Sequence, residues 1–163
     1  MKATMLVGQI SISTFFVFCL LTASANALDA TDAMRLDNLV RKSLQLEQDI
    51  LSIRRDSPLG GQAWECLNEL YYKLEVISVR IEWLYSMELL ASSMNDKSDK
   101  QTVLDLLNED ATNFLNHVEI SRKGINSTAG YCSSINVAVA KAKEILGFYD
   151  EAISDVRSIM KAR

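Results

Sequence analysis

The chain is short of nearly everything that marks an enzyme or a metal protein. Among its 163 residues there is one histidine, His117, and one proline, Pro58. A carboxylate-bridged metal pair inside a helical bundle needs Glu-x-x-His twice, and the residue three before His117 is Phe114. Covalent haem attachment needs Cys-x-x-Cys-His, which does not occur. No serine sits in a Gly-x-Ser-x-Gly turn, and no Gly-Lys-Ser/Thr follows Leu59-Gly60-Gly61, so neither a nucleophile elbow nor a phosphate loop is present. There is no cluster of basic residues, and the formal net charge is −4, which argues against nucleic acid or anionic lipid as the main partner. No stretch alternates apolar and polar residues as a half-buried strand does.

What is present begins with a leader. Lys2 is the one charge before Asp29, an apolar run Ile10 to Leu21 follows, and Ala25-Asn26-Ala27 places small residues where a signal peptidase reads them. The apolar core falls short of the ~20 residues a membrane span requires. Phe18 before Cys19 occupies the place where a lipobox needs a small residue. The expected organisation is therefore a signal peptide, 1–27, and a single domain, 28–163, periplasmic or secreted. Loss of Lys2 leaves 16 basic against 21 acidic side chains.

The remainder carries helical periodicity almost throughout, and Pro58 is its one proline. A first helix is expected from about Asp32 to Arg55, with Leu36, Leu39, Ser43, Leu46, Ile50 and Ile53 on one face. Asp56-Ser57-Pro58-Leu59-Gly60-Gly61 breaks it. A second, from about Gln62 to Ser93, has the seam Leu67, Leu70, Leu74, Ile77, Ile81 and Leu84. Ser98-Asp99-Lys100-Gln101 fits a capping box opening a third helix. That helix carries Leu104, Leu107, Ala111, Phe114 and Val118 inward, and is expected to end at Arg122-Lys123-Gly124. After a loop from Ile125 to Tyr131, a fourth helix runs from about Ser133 to Lys161 on Ile135, Ala138, Ala142, Ile145, Tyr149, Ala152, Val156 and Ile159. Short connections make consecutive helices antiparallel neighbours, so the expected fold is an all-α, up-down-up-down four-helix bundle.

Two cysteines follow the leader, Cys66 and Cys132. An even pair in an exported chain reads as one disulfide. In a square bundle the second and fourth helices are diagonal, too far apart for the ~5.5 Å Cα separation of a disulfide. The bond is expected only if the loop before Cys132 folds inward across the bundle end.

The candidate working surface is on helix two. Tyr72, Val76, Val79, Trp83 and Leu90, with Met87 beside them, form a second apolar stripe. With Leu67 in heptad position a, the seam takes a and d, and the stripe falls largely on c and f, the side a bundle helix normally keeps polar. A helix covered on both sides would show the same pattern; an interface for a protein partner or a second copy is the functional alternative. Glu65, Glu69, Glu75, Glu82 and Glu88 on the same helix read as solvated side chains. Asn126-Ser127-Thr128 is a glycosylation sequon, relevant in a eukaryotic host. The expected function is a non-enzymatic interaction protein acting through helix two, with no cofactor and no metal. The runner-up is a carrier holding a hydrophobic small molecule or haem between helices, His117 pairing with Met87 or Met160 as axial ligands.

Overall fold

The computed structural model describes residues 10–162, with side chains from Thr31 onward; the expected signal peptide and its cleavage point lie outside the residues described in full. The described residues form four helices: α1 (Ile10–Arg55), α2 (Gln62–Ser93), α3 (Lys97–Tyr131) and α4 (Asn136–Ala162). Among the described residues there is no strand. No helix among them is long and apolar enough to cross a membrane.

The breaks have local causes. Arg54 and Arg55 lie in the last turn of α1, beside the carbonyl end of its dipole. The Ser57 hydroxyl donates to the Ile53 carbonyl at 3.0 Å, so a side chain satisfies an orphan acceptor there. Pro58 cannot continue the helix, and Gly60 takes φ +73°, a left-handed conformation that favours glycine. Between α2 and α3 the cap is Asp96, whose carboxylate accepts from the amides of Ser98 at 2.8 Å and Asp99 at 3.0 Å. The capping box expected at Ser98 is thus displaced by two residues, because a carboxylate at the positive end of the dipole satisfies two donors at once.

α3 corrects a second expectation. It does not stop at Gly124 but continues to Tyr131. Ile125 is fully buried and Thr128 is buried, so the apolar stripe carries on past the glycine and tertiary packing overrides the stop signal. Thr128 also returns its hydroxyl to the Gly124 carbonyl at 3.0 Å. The expected loop is therefore helical, and α4 begins three residues later than the sequence suggested.

α1 packs on α2, α2 on α3, α3 on α4, α4 on α1, and α2 also meets α4. All six expected seam residues of α2, Leu67 to Leu84, are buried. So are Ala138, Ala142, Ile145, Tyr149, Ala152, Val156 and Ile159 of α4, the helix that meets α1, α2 and α3. Polar residues tie the helices together in pairs. Arg54 donates to the Asn68 side chain at 2.5 Å, and Arg80 Nη2 donates to His117 Nε2 at 2.9 Å. Lys42 meets Glu151 at 2.5 Å, and Arg122 pairs with Asp150.

Candidate functional site

The outer face of α2 carries an apolar stripe in contact with solvent. Tyr72, Val76, Val79, Trp83 and Leu90 are all exposed, from 44 % at Leu90 to 60 % at Val79. The helix is therefore not covered on both sides: its Leu/Ile seam is buried and the opposite face is open. Met87, grouped with the stripe on sequence, turns the other way and is 8 % exposed within the core. It lies one position past the row Tyr72, Val79, Ser86, which rotates it towards the bundle. Glu88 is also corrected: it is buried at 2 % exposure and holds an interaction partner, rather than being solvated.

Each side of the stripe has its own chemistry. On the α3 side lie Lys73 and Arg80. Lys73 Nζ meets Glu69 at 2.8 Å, and Arg80 meets His117. On the α1 side lie Glu75 and Glu82, near Glu47 of α1. Burial pushes the Glu47 carboxyl up from its ordinary range, the charges of Glu75 and Glu82 push it further, and Ser78 partly offsets them. Its Oε1 is buried without a hydrogen-bond partner, and the Ser78 hydroxyl donates instead to the Leu74 carbonyl at 3.1 Å. Trp83 is held in place by its indole N–H, which donates to Asp110 of α3 at 2.7 Å. Its polar edge is satisfied within the chain, and the ring offers only apolar surface outward.

The Cys66–Cys132 disulfide is formed, with Cα atoms 6.0 Å apart. The diagonal difficulty does not arise, because Cys132 caps α3 rather than leading into α4, and α3 is the direct neighbour of α2. Beside the bond is a groove of about 510 Å³ edged by Trp64, Asn68, Glu69, Lys73, Ser127 and Tyr131. Arg54 lies over the rings of both Trp64, at 5.7 Å, and Tyr71, at 5.3 Å. This groove was not legible in the sequence, since it exists only because α3 continues to Tyr131. Asn126 of the sequon is exposed on that same last stretch of α3.

The space between Leu36, Leu84, Leu107, Ala111, Val156 and Ile159 amounts to about 10 Å³, around one water probe. His117 is half-buried with both ring nitrogens engaged, Nε2 by Arg80 and Nδ1 by the Asn113 carbonyl at 2.8 Å. Among the described residues no group of three or more His, Cys, Asp or Glu side chains is arranged to hold a metal ion. No protein-family model, curated protein or solved structure matches this chain.

Proposed function

We propose that this chain is an exported, non-enzymatic helical interaction module, an up-down-up-down bundle whose working surface is the outer face of α2. The observation that carries this reading is the exposure of five large apolar side chains along one helix, Tyr72, Val76, Val79, Trp83 and Leu90. Together they would form a patch of several hundred Å², near the upper range for soluble monomers. Tyr and Trp are enriched in such patches because they bury much area at small entropic cost. Export is supported by the leader-like first 27 residues and by a disulfide, which persists in oxidising compartments. An antiparallel α2–α3 pair is supported by hydrogen bonds whose residue numbers run oppositely, the Ser121 hydroxyl to the Lys73 carbonyl and the Trp83 indole to Asp110.

The carrier reading has less support. The space between Leu36, Leu84, Leu107 and Val156 is too small for a hydrophobic ligand, and His117 would have to release two hydrogen bonds to bind iron.

Replacing Val79 and Trp83 together by Glu tests the proposal. Both are exposed, so circular dichroism should stay near wild type, with Tm lowered only by loss of the Trp83–Asp110 bond, while association, followed by light scattering or capture of the partner, is lost. Unfolding of the double variant, or unchanged association, overturns the reading.

A further inference from the structure

The stripe on α2 has a charge order that selects among the ways it can be covered. Read as a seam of its own, it has two rows repeating every seven residues. Tyr72, Val79 and Ser86 form one row, and Val76, Trp83 and Leu90 form the other. The first row is flanked by Glu75 and Glu82, both acidic, on the side towards α1. The second is flanked by Lys73 and Arg80, both basic, on the side towards α3, where Trp83 itself meets Asp110. This is the layout of a two-stranded coiled coil, in which flanking charges set partner and orientation.

Resting on the reading of this face as a contact surface, we infer that its occupant is α2 of a second copy, lying parallel and in register. A two-fold axis along the helix pair sets the acidic flank of each copy against the basic flank of the other, bringing Glu75 to Arg80 of the second copy, twice by symmetry. Further along α2 the acidic flank gives way to Leu89, exposed at 45 %. An antiparallel pairing does the reverse: it sets Glu75 and Glu82 against their own equivalents, and Lys73 and Arg80 likewise. Like charges so opposed work against association. Trp83 suits the core of such a pair because its N–H is already taken by Asp110, leaving no polar group to strand on burial. Ser86 interrupts the apolar rows, yet its hydroxyl donates to the Glu82 carbonyl at 2.8 Å and so enters the layer with its hydrogen bond made.

The test reads orientation directly. Val79→Cys and Ser86→Cys, made singly in the exported chain, each put one thiol in the seam; any preparation retaining residue 19 also carries Cys19→Ser. In a parallel, in-register pair, residue 79 faces 79 and residue 86 faces 86, so both variants should form disulfide-linked dimers under mild oxidation. An antiparallel pair brings at most one of these positions to its own copy. Glu75→Lys should weaken wild-type dimerisation roughly five-fold, and adding Arg80→Glu should restore it. Cross-linking at only one position, or at neither, in a chain that sediments as a dimer overturns the parallel arrangement and leaves the surface reading standing. A chain that stays monomeric at about 100 µM overturns the second copy as occupant. The surface reading then stands or falls on whether Val79→Glu with Trp83→Glu abolishes binding to a different protein.

Discussion

The Tyr149 hydroxyl of α4 donates to the Lys73 carbonyl of α2 at 3.0 Å, across the bundle interior. The Ser121 hydroxyl of α3 lies 2.8 Å from the same phenol and within 3.2 Å of the same carbonyl. Three helices therefore meet at one buried polar node, and Tyr149 is the largest of the fully buried side chains. Burial pushes its phenol up to about 12, with the Ser121 hydrogen bond pulling slightly the other way. Lys73 leaves this node to line both the disulfide groove and the basic flank of the α2 stripe.

Tyr149→Phe keeps the ring and removes the bonds. A loss of about 1–1.5 kcal/mol is expected, read as a lowered urea midpoint with an unchanged slope. The pH dependence has a definite sign. The folded phenol holds its proton more tightly than the unfolded one, so wild-type stability should fall as pH rises from about 10 towards 12. Tyr149→Phe should lack that decline. Equal alkaline profiles for the two proteins would count against the buried, neutral phenol.

The disulfide closes a loop of 66 residues between two buried cysteines. Cys66→Ala with Cys132→Ala should cost roughly 3–4 kcal/mol, mainly by freeing the unfolded chain, and leave helical content unchanged. Thiol labelling of denatured, unreduced exported protein should find no reactive group from these two residues. Labelling at either one contradicts the bond.

Two helical glycines make a contrasting pair. A Cβ at Gly147 would meet nothing within 4 Å, so Gly147→Ala should stabilise by about 0.5–1 kcal/mol through backbone entropy and helix propensity. A Cβ at Gly124 would lie 3.0 Å from Lys73 Cε. Gly124→Ala should gain less, because the Lys73 side chain has to shift. Thermal melts rank them, and a larger gain at Gly124 would contradict the close approach of α2 and α3 there.

Glu47 gives a second pH test. Its folded carboxyl is raised, so the folded state binds the proton more tightly and stability falls as pH rises through the carboxylate range. Glu47→Gln should therefore be stabilising at pH 7, with the gain disappearing at pH low enough to protonate the carboxyl in both states. Denaturation of both proteins at pH 4 and pH 7 reads the difference; a variant less stable than wild type at pH 7 would contradict the half-buried, crowded carboxylate.

The sequence made the buried seams legible because the 3.6-residue period of Leu, Ile and Ala on α2 and α4 has one interpretation. Where a local signal competed with packing, packing won. Gly124 after Arg122-Lys123 reads as a helix stop, but burial of Ile125 and Thr128 outweighs it, and only that extension lets Cys132 reach Cys66 beside a neighbouring helix. Met87 adjoins the stripe in sequence, but one position of rotation takes it into the core. The Trp83–Asp110 bond and the Tyr149 node join residues 27 and 76 positions apart, which no local pattern records.

The central claim is that the outer face of α2 is covered when the protein works, and Trp83 reports on it. Trp64→Phe leaves Trp83 as the only indole, so acrylamide quenching then reads that ring alone. In dilute protein, with the ring 55 % exposed, quenching should be efficient. At concentrations where the chain associates, it should fall several-fold, and Val79→Glu should abolish the fall. Quenching that stays constant from dilute monomer to assembled protein would contradict the claim.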